Sequence, residues 1–272
     1  MWAARPITVA HHRFRVGNQR VKSVDFIGMD MGDDFLSRQR VLVIAPHSDD
    51  ETYGCAGTIA RMKTLGSEVY ALLVSVGSLD HYGSDRQPGM HMVTAHTRLR
   101  EFEATAELLK IDDWEVLYPG GAEHMALDMV ARRDIVRLIE RDARLSIEQV
   151  QPTMLLMPWT SYNQDHEAVF RACVTATRPG DPAVRHLVPY VLCYDNTSLF
   201  WSPPTERFHP NVFIDVSEFR AVKMEALRTH ASQVRGPLFH GSPEATDLAS
   251  QVRGREISVG SAEGFVALRM AF

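Results

Sequence analysis

The sequence predicts an α/β fold: a doubly wound, mostly parallel, Rossmann-like sheet with helices on both faces. Three observations predict it. Apolar runs of strand length alternate with amphipathic stretches of helix length, the runs are apolar throughout, and no linker interrupts the alternation. A strand apolar on both sides is covered on both faces, and parallel neighbours need a helical crossover between them.

The first 38 residues differ from the rest. "HRFRVGNQRVKSVDFI" alternates polar and apolar residues around Gly17–Asn18 and predicts an N-terminal β-hairpin added to the main sheet. The core runs follow in order as "RVLVIA", "EVYALLVSV", "WEVLY", "TMLLMPW" and "VPYVLCY". Helical patterns lie between them at about Gly54–Leu65, Thr94–Leu109, Asp128–Leu145 and Asp165–Thr177. Asp128 and Asp165 read as N-caps, because a carboxylate oxygen can accept from the free amides of a first turn. Beyond Asp195 comes the proline-rich loop "NTSLFWSPPTERFHPN", then "VFIDVS". Ser217 is placed to cap a helix through His230, and a further helix is expected from Glu244 to about Arg253. We read residues 1–272 as one domain with peripheral additions.

Bulk properties narrow the function classes. With 45% hydrophobic and 23% charged residues the chain can bury a sizeable core. A formal net charge of −5 argues against a nucleic-acid partner, which calls for concentrated Lys and Arg. No run of about 18 apolar residues offers a membrane span. The opening "MWAARPITVAHHRFRV" lacks the apolar centre of a signal peptide. The three cysteines, Cys55, Cys173 and Cys193, are odd in number and widely spaced, which fits a reducing cytoplasm rather than a disulfide framework.

Two polar clusters stand at strand ends. "PHSDDE" follows the first core strand and "SYNQDHEAV" follows "TMLLMPW", the place where open parallel sheets bind ligands. His47 and Asp50 are three residues apart, and His166 from the second cluster would complete two imidazoles and one carboxylate. Three protein ligands with an open position are the pattern of catalytic zinc, although non-heme iron accepts the same set. Asp49, beside a ligand but not needed as one, would act as general base on a metal-activated water. Glu51 would then favour the helix N-terminus through its dipole. The competing reading is that these acids only cap helices.

These residues also resemble a known family. "PHSDDETYGCAGTIA" resembles the first signature of the PIG-L/LmbE-like zinc-dependent N-deacetylases, usually "HPDDE" followed by a glycine-rich turn. "NQDHEAV" resembles their H-x-D-H motif, and "FHPNVFIDVSEFRAVKMEALRTHASQ" resembles a later block with K-x-x-A-L and H-x-S-Q. The similarity runs from about Val41 to Gln233. It implies hydrolytic removal of an acyl group, usually acetyl, from the nitrogen of an amino sugar such as N-acetylglucosamine or its glycoconjugates. It assigns zinc to His47, Asp50 and His166, and the general base to Asp49. It also suggests multimers, here a homo-oligomer.

Two positions depart from the family pattern. Ser48 replaces a proline, and Asn163 stands where many members carry a histidine that polarises the carbonyl. An Asn amide can donate to an oxyanion but cannot act as a cationic acid. His230, from "THASQ", is the candidate substitute. Asp165 is expected to orient His166 or to cap its helix.

For the substrate, the sequence offers two loops. "GSLDHYGSDRQPGMHM" is too long for a plain βα connection and is expected to form a lid carrying His81, Tyr82 and Arg86. Trp201, in the proline-rich loop, could stack on a sugar face. Arg98 either reaches the site or pairs with Glu101 on a wet helix face. Gly54 and Gly57 suggest close helix–strand packing rather than a dinucleotide loop, since G-x-G-x-x-G is incomplete. Two alternatives to the deacetylase remain at this stage: an amidase of another amide or thiol conjugate with the same metal site, and a catalytically weakened sugar-binding Rossmann-like protein.

Overall fold

A computed structural model describes residues 29–82, 90–195 and 207–272. Seven strands form the main sheet: β1 (Arg40–Ala45), β2 (Glu68–Ser75), β5 (Asp113–Tyr118), β6 (Met154–Pro158), β7 (Tyr190–Tyr194), β8 (Val212–Asp215) and β9 (Ala262–Met270). A two-stranded ribbon consists of β3 (Leu79–Tyr82) and β4 (Met90–Val93). The helices are α1 (Met29–Ser37), α2 (Asp50–Leu65), α3 (Ala95–Leu109), α4 (Arg132–Arg137), α5 (Ile147–Val150), α6 (Gln164–Ala176), α7 (Arg220–Thr229) and α8 (Pro243–Glu256).

Strand order is β5-β2-β1-β6-β7-β9-β8. The five strands from β5 to β7 pair in parallel, and β9 runs antiparallel to both β7 and β8. The chain builds outward from β1 through β2 to β5, then returns to the other side of β1 with β6. The topological switch therefore lies between β1 and β6, and the crevice beyond their carboxyl ends is where such a sheet binds its ligand.

The pleat explains why the runs are apolar throughout. Leu42 and Ile44 of β1 join Leu155, Met157 and the residues of α4, α5 and α6 on one face. Val41 and Val43 join Leu156, Tyr194 and the residues of α1, α2 and α7 on the other. Phe102 and Ala106 of α3 cover Ala71 and Leu73 of β2. Successive residues point to opposite faces, so a strand with two covered faces has no polar positions to show.

Several boundaries differ from the sequence reading. The helix expected over Asp128–Leu145 is broken: a 3₁₀ turn spans Leu127–Met129, α4 starts only at Arg132, and a π-helical turn covers Leu138–Asp142. Asp128 is accordingly not the cap of a long helix. Asn163, not Asp165, caps α6, accepting from the Asp165 amide. Residues 29–37 of the extension read as strand-rich are helical, while the hairpin around Gly17–Asn18 lies outside the described residues. Strand β9 carries only a weak signal in the sequence, because Glu263 and Gly264 interrupt its buried half and Arg269 its half-exposed outer half. Among the described residues no helix is long and apolar enough to cross a membrane.

Gly54 has a packing reason of its own. A Cβ there would meet the Tyr194 ring at 2.2 Å, while the Tyr194 hydroxyl donates to the Ile44 carbonyl at 2.9 Å. The glycine lets the first part of α2 lie against β7 and β1, and so fixes the turn that precedes it.

Candidate active site

That turn, 46–49, joins the buried end of β1 to α2. The Asp50 side chain closes it: Oδ2 accepts the His47 backbone N–H at 2.9 Å. The same oxygen stands 3.4 Å from His47 Nδ1, and Oδ1 stands 3.2 Å from His166 Nε2. One ligand atom from each of His47, Asp50 and His166 falls within 4.8 Å of the others, and all three residues are buried. Strand β1 delivers the first two and β6, through the first turn of α6, delivers the third. The sheet's switch point thus brings together the three residues chosen from the sequence.

The electrostatics favour positive charge here. Burial alone would lower the His47 pKa, but the Asp165 and Asp50 carboxylates outweigh it and hold the ring at about 9. Burial would raise Asp50, yet the facing His166 and His47 rings hold it well below the usual carboxylate range. His166 turns Nε2 toward Asp50, which leaves its Nδ1 buried with no hydrogen-bond partner among the described residues. Two imidazoles and one carboxylate suit a zinc-like ion, and the donor set fits one.

Asp165 does something other than expected. Its Oδ2 lies 2.9 Å from His47 Nε2, so it orients His47 and not His166. The same carboxylate accepts the backbone amides of Met125 at 2.8 Å and Leu127 at 2.9 Å. Burial works against its charge, but His47 and the two amides keep its pKa low. A carboxylate behind a ligating histidine fixes the ring's tautomer and orientation, and with Nε2 occupied His47 offers Nδ1.

Asp49 occupies the N-cap position of α2 yet makes no side-chain capping bond. Its carboxylate is therefore not spent on the helix, which weakens the capping reading. Arg98 Nη2 stands 4.0 Å from its Oδ1. Arg98 is 4% exposed, and Glu101 is engaged elsewhere by the Ser232 amide and hydroxyl, so the surface pair with Glu101 does not form. Asn163 uses Oδ1 to cap α6 and keeps its amide N–H groups for other partners.

Glu51 and His230 lie deeper. Glu51 is fully buried in the first turn of α2, the place expected for it, and also accepts from Thr52 Oγ1 at 2.6 Å. His230 is 2% exposed, with Nε2 at 3.2 Å from both Thr52 Oγ1 and Thr105 Oγ1 and 3.7 Å from Glu51 Oε1. Burial opposes its protonation, but Glu51 raises its pKa. The structure thus joins His230 to Glu51 beneath α2. Arg86 and Trp201, with the side chains of His81 and Tyr82, lie outside the described residues; the backbone of His81 and Tyr82 belongs to β3.

One residue escaped the sequence reading. His124 packs edge-on against His47, with ring centroids 5.0 Å apart and an interplanar angle of 82°. Burial, with His47 and Arg98 nearby, lowers its pKa to about 3. The signal was available: His124 follows the end of β5, as His47 follows β1 and His166 follows β6.

Comparisons with known proteins show the fold and the family. The diacetylchitobiose deacetylase of Thermococcus kodakarensis is 29% identical over 208 residues, 75% of this chain and 73% of that protein. A probable N-acetyl-α-D-glucosaminyl L-malate deacetylase 2 of Bacillus subtilis is 25% identical, covering 74% of this chain and 86% of that one. Among solved structures, the conserved protein TT1542 of Thermus thermophilus superposes with a TM-score of 0.64 at 22% identity, over 86% of this chain and 96% of its own. It shares the mostly parallel sheet covered on both sides. The model of the family described as PIG-L, GlcNAc-PI de-N-acetylase, matches residues 42–177, from β1 through α6, and the chain belongs to that family.

Proposed function

We propose that this protein hydrolyses the acetyl group from the nitrogen of an N-acetylated amino sugar or its glycoconjugate. The observation that carries this reading is the buried His47–Asp50–His166 group with an unspent carboxylate, Asp49, beside it. Two relatives named for deacetylation of N-acetylated sugars support the substrate class. His47, Asp50 and His166 would hold zinc, with Asp165 fixing the His47 ring. Bound there, zinc would lower the pKa of a water toward about 7 and polarise the acetamide carbonyl.

The chain's own groups account for the proton. Asp49 takes it from the attacking water as the new C–O bond forms, then returns it to the departing nitrogen as the C–N bond breaks. The products are acetate and a free amine. The Asn163 amide donates to the carbonyl oxygen, whose charge grows in the transition state. Arg98 borders Asp49 and binds substrate oxygen. His230 supports Glu51 and the base of α2 rather than touching substrate.

The test is metal analysis of the purified protein paired with acetate release from a panel of N-acetylglucosaminyl compounds. About one zinc per chain together with acetate release is the expected result. Protein that carries zinc but releases no acetate from any member would overturn the substrate class. Protein that takes up no metal after reconstitution would overturn the site.

A further inference from the structure

We propose that His124 is a positioning residue: a neutral imidazole that holds the Arg98 guanidinium beside Asp49 so that it meets the substrate. The proposal rests on the deacetylase reading above. It starts from a guanidinium nearly out of water whose surroundings do not neutralise it in the ordinary way. Its Nε is buried with no hydrogen-bond partner among the described residues, and Asp49 Oδ1, at 4.0 Å, is beyond hydrogen-bond reach. The close bond is instead from Nη1 to His124 Nε2, at 2.5 Å.

That bond fixes the state of the imidazole. A guanidinium can only donate, so His124 Nε2 accepts and the ring proton sits on Nδ1. Nδ1 lies 3.1 Å from Ser75 Oγ, which must accept it, and the Ser75 hydroxyl in turn donates to the Pro46 carbonyl at 3.3 Å. The chain of donors runs in one direction only: Arg98, His124, Ser75, Pro46. It ends on the residue before His47 and so ties the guanidinium to the backbone of the first motif.

The surroundings are shaped to keep the ring there. A Cβ on Gly77 would come within 2.5 Å of the His124 Cβ, so only glycine leaves room for it at the end of β2. Gly121, at φ +79°, turns the chain, and its carbonyl accepts the His124 amide at 3.3 Å. Asp165 grips the amides of Met125 and Leu127 just beyond. One carboxylate therefore places both His47 and the His124 turn. A position needed only for packing would be better filled by an apolar side chain, since each buried polar atom here must find its own partner. What the arrangement achieves is a fixed positive charge beside Asp49.

The experiment compares zinc-loaded wild type, His124→Gln and His124→Leu. Gln can accept from Arg98 through its carbonyl and donate to Ser75 through its amide; Leu can do neither. The readouts are two-bond ¹⁵N–¹H spectra of histidine-labelled protein, and kcat and KM for acetate release. Wild-type His124 is expected to carry its proton on Nδ1. His124→Gln should keep kcat/KM within about threefold, whereas His124→Leu should lose about a hundredfold, the scale of a misplaced positioning group, with zinc content unchanged. A proton on Nε2 in the wild type, or full activity in His124→Leu, would overturn the proposal. If the wild type releases acetate from no substrate, the deacetylase reading falls, and the tautomer alone still decides whether His124 serves Arg98.

Discussion

Asp49 and Asp50 are neighbours in sequence, yet the fold gives them different surroundings. Asp50 is bound by the His47 amide and faces two imidazoles, while Asp49 caps nothing and is only partly buried. Replacing Asp49 with Asn keeps size and shape but removes the proton acceptor. Asp49→Asn should bind zinc as the wild type does and lose about 10²- to 10⁴-fold in kcat, the range of a general base; an active variant would mean that another group takes the proton. Asp165→Asn should behave differently. It leaves Asp49 in place but weakens the bond that holds His47, so zinc affinity in a competition titration should fall about 10- to 100-fold. Sequence alone could group His47, Asp50 and His166 because they lie in short motifs at strand ends. It could not assign Asp165 to His47, because that bond joins residues 118 positions apart, and local spacing near His166 pointed to the wrong imidazole.

Among the elements, α2 shows how a distant strand supports the site. The helix is interrupted at Cys55, whose φ of −148° and ψ of 18° are not helical. The amides freed at the break, Gly57 N and Thr58 N, donate to Glu263 of β9 at 3.0 and 2.7 Å. Lys223 of α7 neutralises that carboxylate at 2.5 Å and also donates to the Tyr53 carbonyl at 2.9 Å. The second half of α2 thus has an anionic cap delivered from the C-terminal strand. Both members of the pair are only 3% exposed, so losing one strands the other in the interior. Lys223→Met should therefore cost about 3–5 kcal/mol in urea unfolding, more than a surface pair would; a loss near zero would show that Glu263 takes up a proton or another partner without strain. The core strands were legible because burial on both faces leaves continuous apolar runs. The break in α2, the cap from β9 and the interruption of the expected 128–145 helix were not, since each depends on a tertiary partner that no local pattern announces.

For the molecule as a whole, the switch between β1 and β6 concentrates two carboxylates and two imidazoles at one buried point, and folding must accommodate that charge. Without metal, the raised pKa of His47 means that the folded state binds a proton more tightly than the unfolded chain. This contribution to stability is fully present below the ordinary histidine pKa of about 6.5 and is lost as the pH rises through about 9. A metal ion at His47 must displace that proton, so metal binding and protonation compete. Zinc should therefore stabilise the protein more at pH of about 8.5 than at about 6.5. At about a thousandfold excess over Kd, linkage gives about 4 kcal/mol, or about 10 °C in Tm for a chain of this size. Thermal unfolding with zinc and with a chelator, at the two pH values, measures both the size and the sign. A gain that grows with pH identifies His47 as a ligand that exchanges a proton for the metal. A gain equal at both values would place the metal on groups that carry no proton over that range, and a gain that falls with pH would contradict the linkage between His47 and the site.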